Sequence, residues 1–154
     1  MKFKIFFIAS LLMTFATNMN AQNYNTAVGV RAGLFNGVTF KQFISPYNAI
    51  EGIVNFRWDG VIVTGLYEWQ NGMRCAPGFD YVLGLGAHVG IFDNYKWDKR
   101  KTAMAGIDAL IGIEYTFPTA PFTLGLDYKP AFNFLGDNRI WADGVELSFK
   151  FNIR

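Results

Sequence analysis

Between Thr26 and Arg154 the chain alternates bulky apolar residues with small, polar or charged ones. Its last stretch is the plainest: Val145, Leu147, Phe149, Phe151 and Ile153 alternate with Glu146, Ser148, Lys150, Asn152 and Arg154. A period of two is that of a β-strand with one apolar and one polar face. The pattern predicts eight strands. The first, Thr26–Leu34, sets Val28, Val30, Ala32 and Leu34 against Gly29, Arg31 and Gly33. The second sets Val38 and Phe40 against Thr39 and Lys41, and Ser45-Pro46 reads as a turn. The third, Tyr47–Arg57, sets Ile50, Gly52, Val54 and Phe56 against Glu51, Asn55 and Arg57. Asp59-Gly60 then reads as a tight hairpin.

Strand four, Val61–Gln70, sets Val61, Val63, Tyr67 and Trp69 against Thr64 and Glu68. The connection Asn71–Gly78 follows. Strand five, Phe79–Phe92, sets Tyr81, Leu83, Leu85, Ala87, Val89 and Ile91 against Asp80, Gly84, Gly86, His88 and Gly90. Strand six, Ala103–Phe117, sets Ile107, Ala109, Ile111, Ile113, Tyr115 and Phe117 against Asp108, Gly112 and Glu114. Strand seven, Phe122–Phe134, sets Phe122, Leu124, Leu126 and Tyr128 against Thr123, Gly125, Asp127 and Lys129. Pro130 lacks the ladder donor, so a bulge is expected there. Asp93–Lys101 and Gly136–Gly144 read as solvated loops.

The apolar face carries no charge in any strand. The polar face carries Arg31, Lys41, Arg57, Lys129 and Lys150 against Glu51, Glu68, Asp80, Asp108, Glu114, Asp127 and Glu146, with His88 beside them. Gly29, Gly33, Gly84, Gly86, Gly90, Gly106, Gly112 and Gly125 share that face. Small residues among long charged ones fit a narrow barrel whose polar face is turned inward. Tyr67, Trp69, Tyr81, Tyr115, Phe117 and Phe122 gather near one set of strand ends, in the manner of an interfacial aromatic girdle. The architecture expected is all-β: an eight-stranded antiparallel transmembrane up-and-down barrel with a polar, side-chain-filled interior. A soluble lipocalin-like barrel, apolar face inward around a ligand, is the alternative, and the glycine-laden charged face argues against it.

The N-terminus adds a destination. Lys2 and Lys4 precede the apolar run Ile5–Ala16, and Thr17-Asn18-Met19-Asn20-Ala21 resembles a polar cleavage region. Residues 1–21 are expected to be a secretion signal and residues 22–154 one barrel domain. Without Lys2 and Lys4, the 14 Lys+Arg fall to 12 against 12 Asp+Glu, which removes any case for nucleic acid. Cys75 stands alone, so no internal disulfide is expected.

Four segments carry a resemblance. Gly65-Leu66-Tyr67-Glu68-Trp69, the glycine-rich Gly84–Gly90, Gly112-Ile113-Glu114-Tyr115-Thr116-Phe117 and Asp127-Tyr128-Lys129-Pro130 resemble motifs of uncharacterised short envelope barrels. More broadly the chain resembles the small outer-membrane β-barrels of Gram-negative bacteria: OmpX, the OmpA transmembrane domain and the opacity-type proteins. The resemblance implies Sec-type export to the outer membrane, insertion by the barrel-assembly machinery, and contact with outer-membrane lipid and lipopolysaccharide as a monomer. It implies no activity. Many such barrels end on an aromatic residue, whereas here Phe151 is followed by Asn152-Ile153-Arg154.

Catalysis lacks parts. Lipid A deacylases of barrel type use His-x-Ser on one strand face, and here the match reads His88-Val89-Gly90. Ser45 and Ser148 are the only serines past the leader. One histidine with scattered carboxylates lacks metal-ligand spacing, and no cofactor is expected. A lumen with two more acids than bases implies a shared proton or a charged His88. A narrow pore is a rival only if the lumen charges fail to pair. Surface contact, if any, falls to the loops, through Tyr95, Lys96, Trp97, Lys99, Arg100 and Lys101, and through Arg139 and Trp141.

Overall fold

The computed structural model describes residues 25–33, 36–57, 60–93, 101–135, 140–141 and 144–153. Ten strand segments form: β1 (Thr26–Gly33), β2 (Asn36–Ser45), β3 (Asn48–Arg57), β4 (Gly60–Gly72), β5 (Phe79–Asp93), β6 (Lys101–Thr116), β7 (Phe122–Tyr128), β8 (Ala131–Leu135), β9 (Ile140–Trp141) and β10 (Val145–Ile153). Every pairing is antiparallel. The order β5-β4-β3-β2-β1-β10-β7-β6 closes on itself through β5 and β6. β8 continues β7 along β6, and β9 pairs with β8 ahead of β10. The ten segments are therefore eight staves of one closed barrel.

The seventh stave breaks where the proline sits. β6 pairs with β7 up to Ile111↔Tyr128 and resumes with β8 at Asp108↔Ala131. Across the gap the Ala109 amide donates to the Pro130 carbonyl at 3.0 Å, and the Lys129 amide to the Gly144 carbonyl at 2.8 Å. Alternation survives the break, with Asp127, Lys129, Ala131 and Asn133 all buried. The bulge expected at Pro130 is not there, since the register is unchanged across it and shifts instead between Ala105 and Gly106. The expected loops are trimmed by pairing. Asp93 faces Lys101 in the ladder, and Ile140–Trp141 form a strand inside the stretch expected to be loop. Periodicity cannot see such short paired ends, because two residues carry no period.

One end of the barrel carries the short turns, at residues 46–47, 73–78 and 117–121, together with Asn25 and Ile153. In the 73–78 turn the Met73 amide donates to the Phe79 carbonyl at 2.8 Å. Gly78 has φ +87° there, and a Cβ on it would lie 2.8 Å from Tyr115 Cε2, so both backbone and packing demand glycine. The outside of this turn end is aromatic. Tyr67 meets Trp69 edge-on at 5.1 Å between ring centroids, Tyr115 meets Phe117 at 4.9 Å, and Phe122 stacks on Phe149 at 5.1 Å.

The apolar face is the outside. Val30, Ile50, Val63, Leu85, Val89, Ile111, Leu126 and Leu147 are all exposed, and the residues alternating with them face the lumen, most of them buried. A lipocalin-like barrel would have the opposite arrangement.

Candidate functional site

The lumen is where the chain concentrates its chemistry. Arg31, on β1, lies between three carboxylates, with Glu51, Asp127 and Glu146 each at 3.0 Å. Glu51 also accepts from the Thr39 hydroxyl and faces Lys150 Nζ at 3.3 Å. Lys41 bridges Glu68 at 2.8 Å and Glu114 at 3.0 Å, and Lys150 reaches Glu114 as well. Lys129 closes the set with Glu146 at 3.8 Å. Arg31, Lys41, Lys150, Glu51, Glu68 and Glu114 are at most 2 % exposed. Ions so buried are tolerated only when paired, because removing them from water costs several kcal/mol each.

These pairs run across the barrel. Lys41 on β2 meets Glu114 on β6, and Lys150 on β10 meets Glu51 on β3. The alternation brings residues to one face; only closure brings these distant staves to 3.0 and 3.3 Å. Not every polar-face residue joins the network. Asp80 sits half-buried at the turn end and accepts from Gln70 Nε2 at 2.8 Å. His88 Nδ1 lies 2.8 Å from Asp108 Oδ2, and both side chains are buried. The Arg57 side chain lies outside the described residues.

The inward glycines are sockets. A Cβ on Gly29 would lie 2.9 Å from Lys150 Cγ, one on Gly33 3.2 Å from Glu146 Cγ, and one on Gly84 3.3 Å from Glu68 Cγ. One on Gly106 would lie 2.6 Å from His88 Cε1. Each long charged stem lies over a position with no side chain of its own.

The lumen also has apolar members that the face count passed over. Ile53, Leu66, Val82 and Leu110 cluster on β3–β6, Ile62 and Met104 pack with Phe92 toward the loop end, and Phe43 packs with Ala27 and Ala49 at the turn end. Their signal was in the sequence: Ile53, Ile62, Leu66, Val82, Met104 and Leu110 all occupy polar-parity positions. Runs such as Ile62-Val63 and Leu110-Ile111 hide that parity, because two apolar neighbours cannot both face out.

Catalytic geometry is incomplete. The Ser148 hydroxyl, on β10 opposite Gly125, has no hydrogen-bond partner among the described residues, so it is not joined to His88. Ser45 ends β2 at the turn end. The surface candidates Tyr95, Lys96, Trp97, Lys99, Arg100 and Arg139 lie outside the described residues, as do the side chains of Lys101 and Trp141. Cys75, in the 73–78 turn, is exposed.

No family model matches the chain, and no curated protein matches it either. Among solved structures it is similar to the N-terminal β-barrel domain of Pseudomonas aeruginosa OprF. The TM-score is 0.66 at 13 % sequence identity, covering 86 % of this chain and all of that domain. At that identity the likeness is one of fold: a closed eight-stranded antiparallel barrel.

Proposed function

We propose that this protein is an outer-membrane β-barrel of the small OmpX, OmpA-domain and opacity-type kind, with a structural or surface-interaction role and no catalysis. The observation that carries the reading is an inside-out distribution of polarity. Ion pairs fill the centre and exposed aliphatic side chains cover the wall, which is unfavourable in water and favourable in lipid. The height of the wall agrees. On β5 the outward residues run from Phe79 to Ile91, and the aliphatic part of that run lies between Tyr81 and Ile91. That length of tilted strand spans about 25 Å, the height of an outer-membrane apolar band.

In this reading residues 1–21 direct Sec-type export and are removed, and the barrel-assembly machinery inserts residues 22–154 as a monomer. The turn end, with its aromatic outer ring, faces the periplasm. The loop end faces outward toward lipopolysaccharide. Any further surface ligand is reached through residues 93–101 and 136–144, since the wall is given to lipid and the lumen to ion pairs. Tyr95, Trp97 and Trp141 offer contact area there, and Lys96, Lys99, Arg100, Lys101 and Arg139 offer salt-sensitive attraction to anions.

Fractionation tests the location. The protein should sediment with outer membranes and run as a heat-modifiable band on a denaturing gel; recovery in soluble periplasm without detergent would overturn the reading. Planar bilayers test the filled lumen. Little steady conductance is expected, and large stable channel steps at neutral pH would turn the assignment toward a pore.

A further inference from the structure

Ion pairs do not line the whole lumen. Ile62, Gly90 and Met104 stand abreast on β4, β5 and β6. With no side chain at Gly90, the other two close over it: a Cβ there would lie 3.2 Å from both Ile62 Cγ1 and Met104 Cγ. Phe92, the next inward residue on β5 toward the loop end, packs against the pair. Ile62 and Met104 are 4 % and 6 % exposed. Next to this patch on the turn-end side lies the His88–Asp108 pair, with His88 preceding Gly90 on the same face of β5. The charges that β4 and β6 send across the lumen, Glu68 and Glu114, lie nearer the turn end.

We propose that Ile62, Phe92 and Met104 form a hydrophobic seal at the loop end, which keeps water and solutes away from the His88–Asp108 pair. An apolar constriction excludes water because water gains no hydrogen bonds by entering it. A charged lining offers no such barrier. Met104 is the movable part of the seal. Its unbranched thioether turns at low cost, whereas β-branched Ile62 is stiff at χ1. Opening the seal therefore amounts to swinging Met104 off Gly90, without disturbing the cross-lumen ion pairs. The inference depends on the closed barrel and its register, not on the membrane reading.

His88 is the only histidine in the chain, so its reactivity reports the seal directly. The test uses untagged, detergent-solubilised barrel, with diethyl pyrocarbonate as probe and mass spectrometry of the His88 peptide as readout. In the wild type, modification should be slow against a free imidazole standard. Met104→Ala should speed it by about tenfold or more, because reaction through a local opening follows the opening equilibrium. Met104→Leu should stay slow. Leu110→Ala, which removes comparable volume from the deeper Ile53–Leu66–Val82–Leu110 cluster, should also stay slow. The heat-modifiable band is the check that each variant is folded. If Met104→Ala does not give that band, Phe92→Ala takes its place with the same expectation. The inference is overturned by fast modification of the wild type, by an unchanged rate in the folded seal variant, or by equal acceleration in Leu110→Ala. None of these results would bear on whether the barrel fractionates with outer membranes.

Discussion

The two halves of the lumen wall are built from different chemistry. On β10, β1, β2 and the β7–β8 stave lie the four lumen cations whose side chains are described, Arg31, Lys41, Lys129 and Lys150, with only Asp127 and Glu146 for acids. On β3–β6 lie Glu51, Glu68, Asp80, Asp108 and Glu114, together with the aliphatic residues Ile53, Ile62, Leu66, Val82, Met104 and Leu110. The first half therefore depends on the second for its counter-charges. Closing the barrel brings them together, as in Lys41–Glu114 and Lys150–Glu51. Buried ion pairs contribute little net stability over an apolar packing of similar shape, but an orphaned partner is costly. The difference between the halves is thus one of tolerance: the basic half fails when a partner is lost, the aliphatic half when volume is lost.

The largest expected effect comes from breaking that dependence. Arg31→Ala would leave Glu51, Asp127 and Glu146 without their shared guanidinium. We expect a loss of about 3–5 kcal/mol, read as a lower urea midpoint for unfolding of the detergent-refolded barrel. A loss below the cost of an ordinary surface change would mean that the two halves are not coupled through Arg31. Ile111→Arg asks whether the outer wall obeys a different rule from the inner one. Ile111 is 56 % exposed at mid-strand, and arginine there should cost about 2–4 kcal/mol in lipid. Normal assembly and full stability would reverse the assignment of faces on β6.

Two glycines sharpen the contrast at smaller scale. At Gly29, in the basic half, a new Cβ would meet backbone, with Lys150 Cα at 2.8 Å. Gly29→Ala should cost about 1–3 kcal/mol, because a strand has to move. At Gly90 the nearest atoms are side-chain carbons of Ile62 and Met104 at 3.2 Å. There the flexible Met104 can yield, and Gly90→Ala should cost less than about 1 kcal/mol. Equal losses, measured by the same urea midpoints, would remove the distinction. The smallest effect should lie outside both halves. Gly52 faces outward with no atom within 4 Å of a built Cβ, and its φ is not positive. Gly52→Ala should stabilise by about 0.4–1 kcal/mol through the unfolded chain, seen as a slightly higher midpoint.

Much of this molecule was legible along the chain. Alternation gave the faces, and eight segments with short turns gave the stave count. Pro130 marked the interruption of the seventh stave, but the bulge expected there is displaced to the pairing of Ala105 and Gly106 with Leu135 and Asn133. The charged polar-face positions read from alternation line the lumen wherever their side chains are described. The misreadings have local causes. Asp93 and Lys101 look like loop because they are charged, yet they pair with each other across a hairpin. Ile140–Trp141 is too short to show a period. The inward aliphatic residues were masked by outward neighbours of the same kind.

The sequence alone determined which residues share a face, because the two-residue period of a strand is a property of the local backbone. Only the tertiary structure decided which cation meets which acid, that His88 takes Asp108, and that Met104 closes over Gly90. Those choices depend on strand register and on the join between β5 and β6, which bring together residues far apart in the chain. Alternation fixes a side chain's direction, but its partner is set by the stagger of the closed sheet.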